Sequence, residues 1–178
     1  LLGLTEQEKD VTEIHRLLRA GSWLAADDRD VVILPEKIAQ SLGIQPQDVG
    51  NARITMYGKE LLVKGIYDSR GLEQVRDLDG ESLMPVDFSS MPQKEIEKMK
   101  MEKTAQVTSN SVKIESFLHI EAANIAIVPA TVVQEFNGTL QSIAVRFSPA
   151  TSDAQSLVEN FVSKLAVILF VGIGDKSL

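Results

Sequence analysis

Apolar positions fall into short blocks whose period changes several times along the chain. Thr5-Glu6-Gln7-Glu8 has the form of a capping box, a hydroxyl N-cap with a glutamate three residues on. Ile14, Leu17 and Leu18 follow at helical spacing, so a helix is expected that ends near Gly21. Asp27-Asp28-Arg29-Asp30 reads as a polar turn. Residues 31–34 form a β-branched apolar run, the mark of a buried strand. Pro35 suits the first turn of a following helix, where its missing N–H costs nothing. Ile38, Ala39 and Leu42 supply the inner face of that helix, and Gly43 stops it.

The period then drops to two. Residues 52–57 alternate, with Ile54 and Met56 on one side. Gly58-Lys59 is the expected turn, and 60–67 returns with Leu61, Val63, Gly65 and Tyr67 facing one way, so the stretch reads as a β-hairpin. Residues 68–80 are polar and read as a loop or short helix. Residues 82–88 read as a strand, placed at an edge because Pro85 has no N–H to give a ladder. A charged helix is expected over 92–103, with Ile96 and Met99 as its apolar contacts. Residues 106–110 read as a weak strand or turn, and further strands are expected over 113–120 and over 122–128, the latter stopping at Pro129. Residues 130–135 suit a helical turn closed by Asn137-Gly138. A strand over 141–147 then leads to the clearest amphipathic helix, 153–165, where Leu157, Val158, Phe161, Val162 and Leu165 recur at helical spacing. An apolar strand over 166–173 completes the pattern.

The fold class implied is α+β, with mixed or antiparallel sheets and helices packed on one face. Two small subdomains are expected, a strand–helix–hairpin unit over 1–90 and a β-α-β-α-β unit over 105–178, joined by the charged helix 92–103. Leu157, Phe161 and Val145 are expected to be buried together.

Composition narrows the function classes. The chain has 178 residues, of which 44% are apolar and 24% charged, enough to bury a core. Its net charge is −7. Nucleic-acid binding draws on basic surface that displaces counterions from phosphates. The densest lysine run, Lys94 to Lys103, is interleaved with Glu95, Glu97 and Glu102, which makes it a solvated helix face. There is no cysteine, which excludes disulfides, thiolate metal sites and cysteine nucleophiles. The chain opens on Leu-Leu-Gly without a signal-peptide pattern, which suits a segment excised from a longer protein. Its longest apolar stretch, 165–173, is far short of the roughly 20 residues of a membrane span.

Candidate chemistry is sparse. The two histidines, His15 and His119, lack a second ligand at metal spacing and read as a surface residue and a sheet-face residue. Asp27, Asp28 and Asp30 lack the glycine and closing glutamate of a calcium loop, and Arg29 opposes a cation. Gly172-Ile173-Gly174-Asp175-Lys176-Ser177 follows an apolar run, but the glycines are too close together for a phosphate loop. No nucleophile elbow occurs. Trp23, Phe88, Phe117, Phe136, Phe147, Phe161 and Phe170 are spread singly and read as core anchors. No catalytic, cofactor-binding or metal-binding residue is assigned, no cofactor is expected, and the chain is expected not to be an enzyme.

The order of parts over 31–67 is distinctive. It runs Asp-Val-Val-Ile-Leu-Pro, a helix ending Ser-Leu-Gly-Ile, a polar turn with Asp48, Arg-Ile-Thr-Met, Gly-Lys, then Leu-Leu-Val-Lys-Gly-Ile. This resembles the periplasmic core domain of MacB/FtsX-like ABC-transporter permeases. A second stretch, 125–147, also resembles it: a strand ending Val-Pro, a short variable segment, then Ser142-Ile143-Ala144-Val145-Arg146-Phe147 leading to the long helix. Residues 69–124 depart from the family pattern and read as an insertion or variable subdomain. The resemblance implies a cell-membrane protein with this domain on the extracytoplasmic side. Its partners would be a cognate ATPase subunit or domain acting through the missing membrane part, a periplasmic adaptor or substrate, and a second permease copy, with no nucleic acid.

Two other classes compete with that reading. One is a small-barrel binding or regulatory module, because Leu42-Gly43-Ile44 through Asp48 also resembles the helix-to-strand turn of swapped-hairpin transcription factors. Those are short and basic, whereas this chain is acidic and continues for more than a hundred residues. The other is an enzyme with an unrecognised site.

Overall fold

The computed structural model describes residues 1–76, 82–85, 87, 119–138 and 161. The chain divides into two compact units, Leu1–Ala144 and Val145–Leu178. The sequence placed the division near 90–105. It falls later because residues 127–129 complete the sheet of the first unit.

That sheet is mixed, and the fold is α+β as expected. Its strands are β1 (Leu2–Leu4), β2 (Leu18–Gly21), β3 (Val31–Pro35), β4 (Arg53–Met56), β5 (Lys59–Tyr67) and β6 (Ile127–Pro129), in the spatial order β1-β6-β3-β5-β2 with β4 also on β5. β1 runs parallel to β6, and β3 parallel to β5. β3 meets β6 antiparallel at Ile33↔Ile127. The helices are α1 (Glu8–Val11), α2 (Glu36–Ser41), α3 (Ser69–Glu73) and α4 (Ala130–Glu135).

β3 is central and buried along its whole length, which is why it reads as a continuous apolar run with no polar alternate positions. Its side chains still alternate. Val32 and Leu34 enter one cluster with Leu61, Val63, Val128, Ala39 of α2 and Val132 of α4. Val31 and Ile33 enter the other with Tyr67, Ile127, Leu72 of α3 and Ile14. The two clusters share one sheet as their partition.

β5 changes partner along its length. Lys59 to Leu62 pair with β4, and Gly65 to Tyr67 pair with β2. Between these halves the register against β3 slips: Val32 faces Val63 but Ile33 faces Gly65. Lys64 is the additional residue of this bulge. The slip releases the Lys64 side chain from the alternation, and its Nζ reaches Asp28 Oδ2 at 2.5 Å. Where β2 meets this region the two backbones approach closely. Gly21 has φ +82°, and a Cβ there would lie 2.1 Å from the Lys64 carbonyl oxygen.

Both α2 and α4 end in a Schellman motif. In α2, Gly43 N–H donates to Gln40 O at 3.1 Å and Ile44 N–H to Ala39 O at 2.9 Å, with Gly43 at φ +71°. In α4, Asn137 at φ +58° and Gly138 take the same roles, donating to Gln134 O at 3.0 Å and Val133 O at 2.9 Å.

Several expectations are corrected. The single helix expected from Thr5 to Gly21 is three pieces: α1, a 3₁₀ turn over Ile14–Leu17, and strand β2. Glu13 breaks it at φ +59°, and β5 then claims Leu18–Gly21 as a ladder partner. Gln7, not Thr5, precedes α1, and no side chain caps it. Leu42 sits past the end of α2 and is 53% exposed instead of facing inward. Residues 82–85 form no strand; Ser82 makes one isolated bridge to Arg76. The strand expected over 122–128 begins as a 3₁₀ turn, Ala122–Asn124, and becomes β6 only at Ile127. Phe161 is helical, but it is 39% exposed and not the buried anchor expected; Leu157 and Val145, its expected partners, lie outside the described residues. The expected elements over 92–118 and 141–173 otherwise lie outside the described residues.

Candidate interaction surface

The β4–β5 hairpin carries the most unusual geometry among the described residues. Met56 pairs with Lys59, so the turn is Tyr57-Gly58, one residue earlier than the sequence placed it. Both residues have positive φ, +52° and +79°. A two-residue loop with both centres at positive φ is the type I′ turn, whose twist matches that of the flanking strands. Asn-Gly or Asp-Gly satisfies it without strain. Tyrosine does not, because its Cβ crowds the following carbonyl in the left-handed region.

Burial does not offset that cost: Tyr57 is 76% exposed. Its ring meets Phe136, with centroids 5.5 Å apart and planes tilted by 51°. Phe136 is held by the Schellman end of α4, and Met56 and Phe136 both lean on the cluster that contains Val63 and Val132.

Ion pairs lock the hairpin to its surroundings. Lys59 Nζ lies 2.7 Å from Asp30 Oδ1 and also donates to Glu135 of α4. Hydrogen bonds to these two carboxylates, Asp30 first, raise the Lys59 pKa and keep it charged. Arg53 Nη1 meets Glu60 Oε2 at 3.1 Å across the strands. The tip is thus a pair of aromatic rings on a rigid support, ringed by charges that are already paired.

The aspartates of the 27–30 turn do not converge. Asp28 accepts from Ala25 N–H at 2.7 Å and pairs with Lys64, while Asp30 pairs with Lys59. Among the described residues no three acidic or histidine side chains gather as a metal cluster. His15 lies in the 3₁₀ turn before β2, and its Nδ1 is buried without a hydrogen-bond partner. His119 Nδ1–H donates to Met84 O at 2.6 Å, which fixes the proton on that nitrogen because a carbonyl can only accept. The Gly172–Ser177 run lies outside the described residues. Trp23 packs partly buried against the first cluster, consistent with an anchor.

The sequence reading missed Tyr57 and Phe136 as a pair. One signal was present: a tyrosine directly before glycine between two alternating runs, where the turn favours asparagine or aspartate.

Neither a protein-family model, nor a curated protein, nor a solved structure matches this chain. No helix among the described residues is long and apolar enough to cross a membrane.

Proposed function

We propose that this chain is the extracytoplasmic domain of a MacB/FtsX-like ABC permease, passing ATP-driven movement to a substrate or partner protein. What supports the reading is the unit that carries the sequence resemblance. β3, α2, β4 and β5 follow one another in the order the resemblance requires, and β3 lies parallel beside β5 in one sheet. Such a unit moves as a block, because packed cores switch between discrete arrangements and do not deform continuously. The ATPase would act through the membrane part, a second permease copy would complete the transporter, and a periplasmic adaptor or substrate would meet the domain. The residues of this chain then bind and transmit, and none is assigned a catalytic role.

The test is the reading frame on both flanks and the side of the membrane the domain occupies. Apolar spans of about 20 residues are expected on the flanks, with the domain cut by protease added outside spheroplasts. A protein that stays protected in spheroplasts and fractionates with the cytosol overturns the assignment.

A further inference from the structure

We propose that the β4–β5 hairpin tip is a docking point for an arginine- or lysine-bearing segment of a partner protein, with the cation seated on the face of Tyr57. The inference rests on reading the domain as a partner-contacting module and names the chemistry of that contact.

Three observations converge on it. First, Tyr57 occupies a left-handed turn position that asparagine or aspartate would fill without strain, and 76% of it faces solvent. Neither the turn nor the core accounts for an aromatic ring there. Second, the ring is held in place. It meets Phe136 at 5.5 Å, and Lys59 ties the hairpin to Asp30 and Glu135. A held ring loses little freedom when a partner arrives. Third, the charge around the tip favours a cation. Among the described ion pairs at the tip, Asp30, Glu60 and Glu135 stand against Arg53 and Lys59, three negative charges to two positive, and both cations are already engaged by these carboxylates. The whole chain carries −7. An approaching guanidinium or ammonium meets a ring face, which attracts cations through its quadrupole, inside a negative field. An acidic segment or a phosphate is repelled by the same field.

The experiment uses the 178-residue chain, isotope-labelled, titrated with an acetylated and amidated hexa-arginine peptide and with hexa-glutamate as the opposite probe. Saturable amide shifts are expected at Tyr57, Gly58 and Phe136 with hexa-arginine, weakening as salt rises, and none with hexa-glutamate. Tyr57→Asn and Tyr57→Ala should each weaken the binding about fivefold, the scale of an exposed cation–π contact. Tyr57→Asn puts in a residue the turn favours, so its loss of binding with a melting temperature held or raised excludes misfolding as the cause. Glu73→Gln, which removes one charge beyond the opposite end of β5, should bind as the parent does. Shifts spread over the acidic surface and indifferent to Tyr57→Asn overturn the proposal, as does equal binding of hexa-glutamate or no saturable binding. The measurement needs no membrane, so its failure and that of the permease assignment are told apart.

Discussion

Tyr67 joins two distant parts of the chain through a single hydroxyl. It sits at the end of β5, and its O–H reaches the carbonyls of Ala122 and Ile125, each at 2.7 Å. Both acceptors belong to the turn that delivers the chain into β6, and Tyr67 is 2% exposed. Removing the hydroxyl takes its one proton from both; Ala122 O keeps the Ile125 N–H at 3.1 Å, while the buried Ile125 carbonyl loses this donor, which costs more than a single neutral hydrogen bond contributes. Tyr67→Phe is therefore expected to lower stability by about 1–3 kcal/mol in urea unfolding at neutral pH. Burial, with the Glu73 charge behind it, pushes the Tyr67 pKa well above that of a free phenol. A group whose folded pKa is raised contributes stability in full below its unfolded value, about 10, and loses it as pH rises through the folded value. The gap between the parent and Tyr67→Phe should therefore be constant up to about pH 10 and shrink above it. A gap that instead closes between pH 5 and 8 would assign the effect to another group. None of this was legible in the sequence, because alternation placed Tyr67 on the face of Leu61 and Val63, whereas the slip at Lys64 turns it into the opposite cluster. Its hydrogen bonds span more than fifty residues, and no local pattern records such a distance.

Elements differ in how far the sequence foretold them, and the reason is local sufficiency. α2 carries its own signals: Pro35 before it, Gly43 at φ +71° after it, and a buried Ala39 within it. Its stop was read correctly, apart from Leu42, but Pro35, expected in its first turn, is the extended last residue of β3. The segment from Leu2 to Gly21 has no such sufficiency. α1 is 4 residues long and has no buried residue, so the sheet decides its neighbours. β1 and β2 exist because β6 and β5 offer them ladders. The bulge at Lys64 was equally hidden, since Leu-Leu-Val-Lys-Gly-Ile looks like plain alternation broken by one lysine. Its consequence is a partly buried ion pair that fastens the 25–28 turn to β5. Asp28 does two things there, accepting from Ala25 N–H and pairing with Lys64, whereas Lys64 provides only the charge. Asp28→Ala should hence cost more than Lys64→Ala, about 2–3 against about 1 kcal/mol. A double-mutant cycle by denaturant unfolding should return a coupling of at least about 0.5 kcal/mol. Additive losses would mean the pair is only a surface contact.

At the scale of the first unit, the sheet makes one object of stretches far apart in sequence. β3 lies between β5, which follows it closely, and β6, which comes some ninety residues later. The clusters on its two faces are joined through it, because Val32 and Leu34 serve one while Val31 and Ile33 serve the other. The α+β class was readable from the alternation of periods. The joining of β6 to the first third of the chain was not, since strand partners at long range leave no periodic trace. A domain that transmits force needs this kind of continuity, and it can be measured. Leu34 is fully buried, and Leu34→Ala should cost about 2–5 kcal/mol by losing apolar contacts and opening a cavity. Because β3 partitions both clusters, the loss should not stay on the Leu34 side. Native-state hydrogen exchange should show Ile33, Val63 and Val128 amides sharing one opening free energy in the parent, and falling together in Leu34→Ala. If the domain transmits movement as one block, the same substitution in the full-length protein should abolish transport. If Val128 kept its protection while Val63 lost it, β6 would open separately from the β3–β5 core. The first unit would then be two coupled pieces, and transmission through it would need a hinge between β3 and β6.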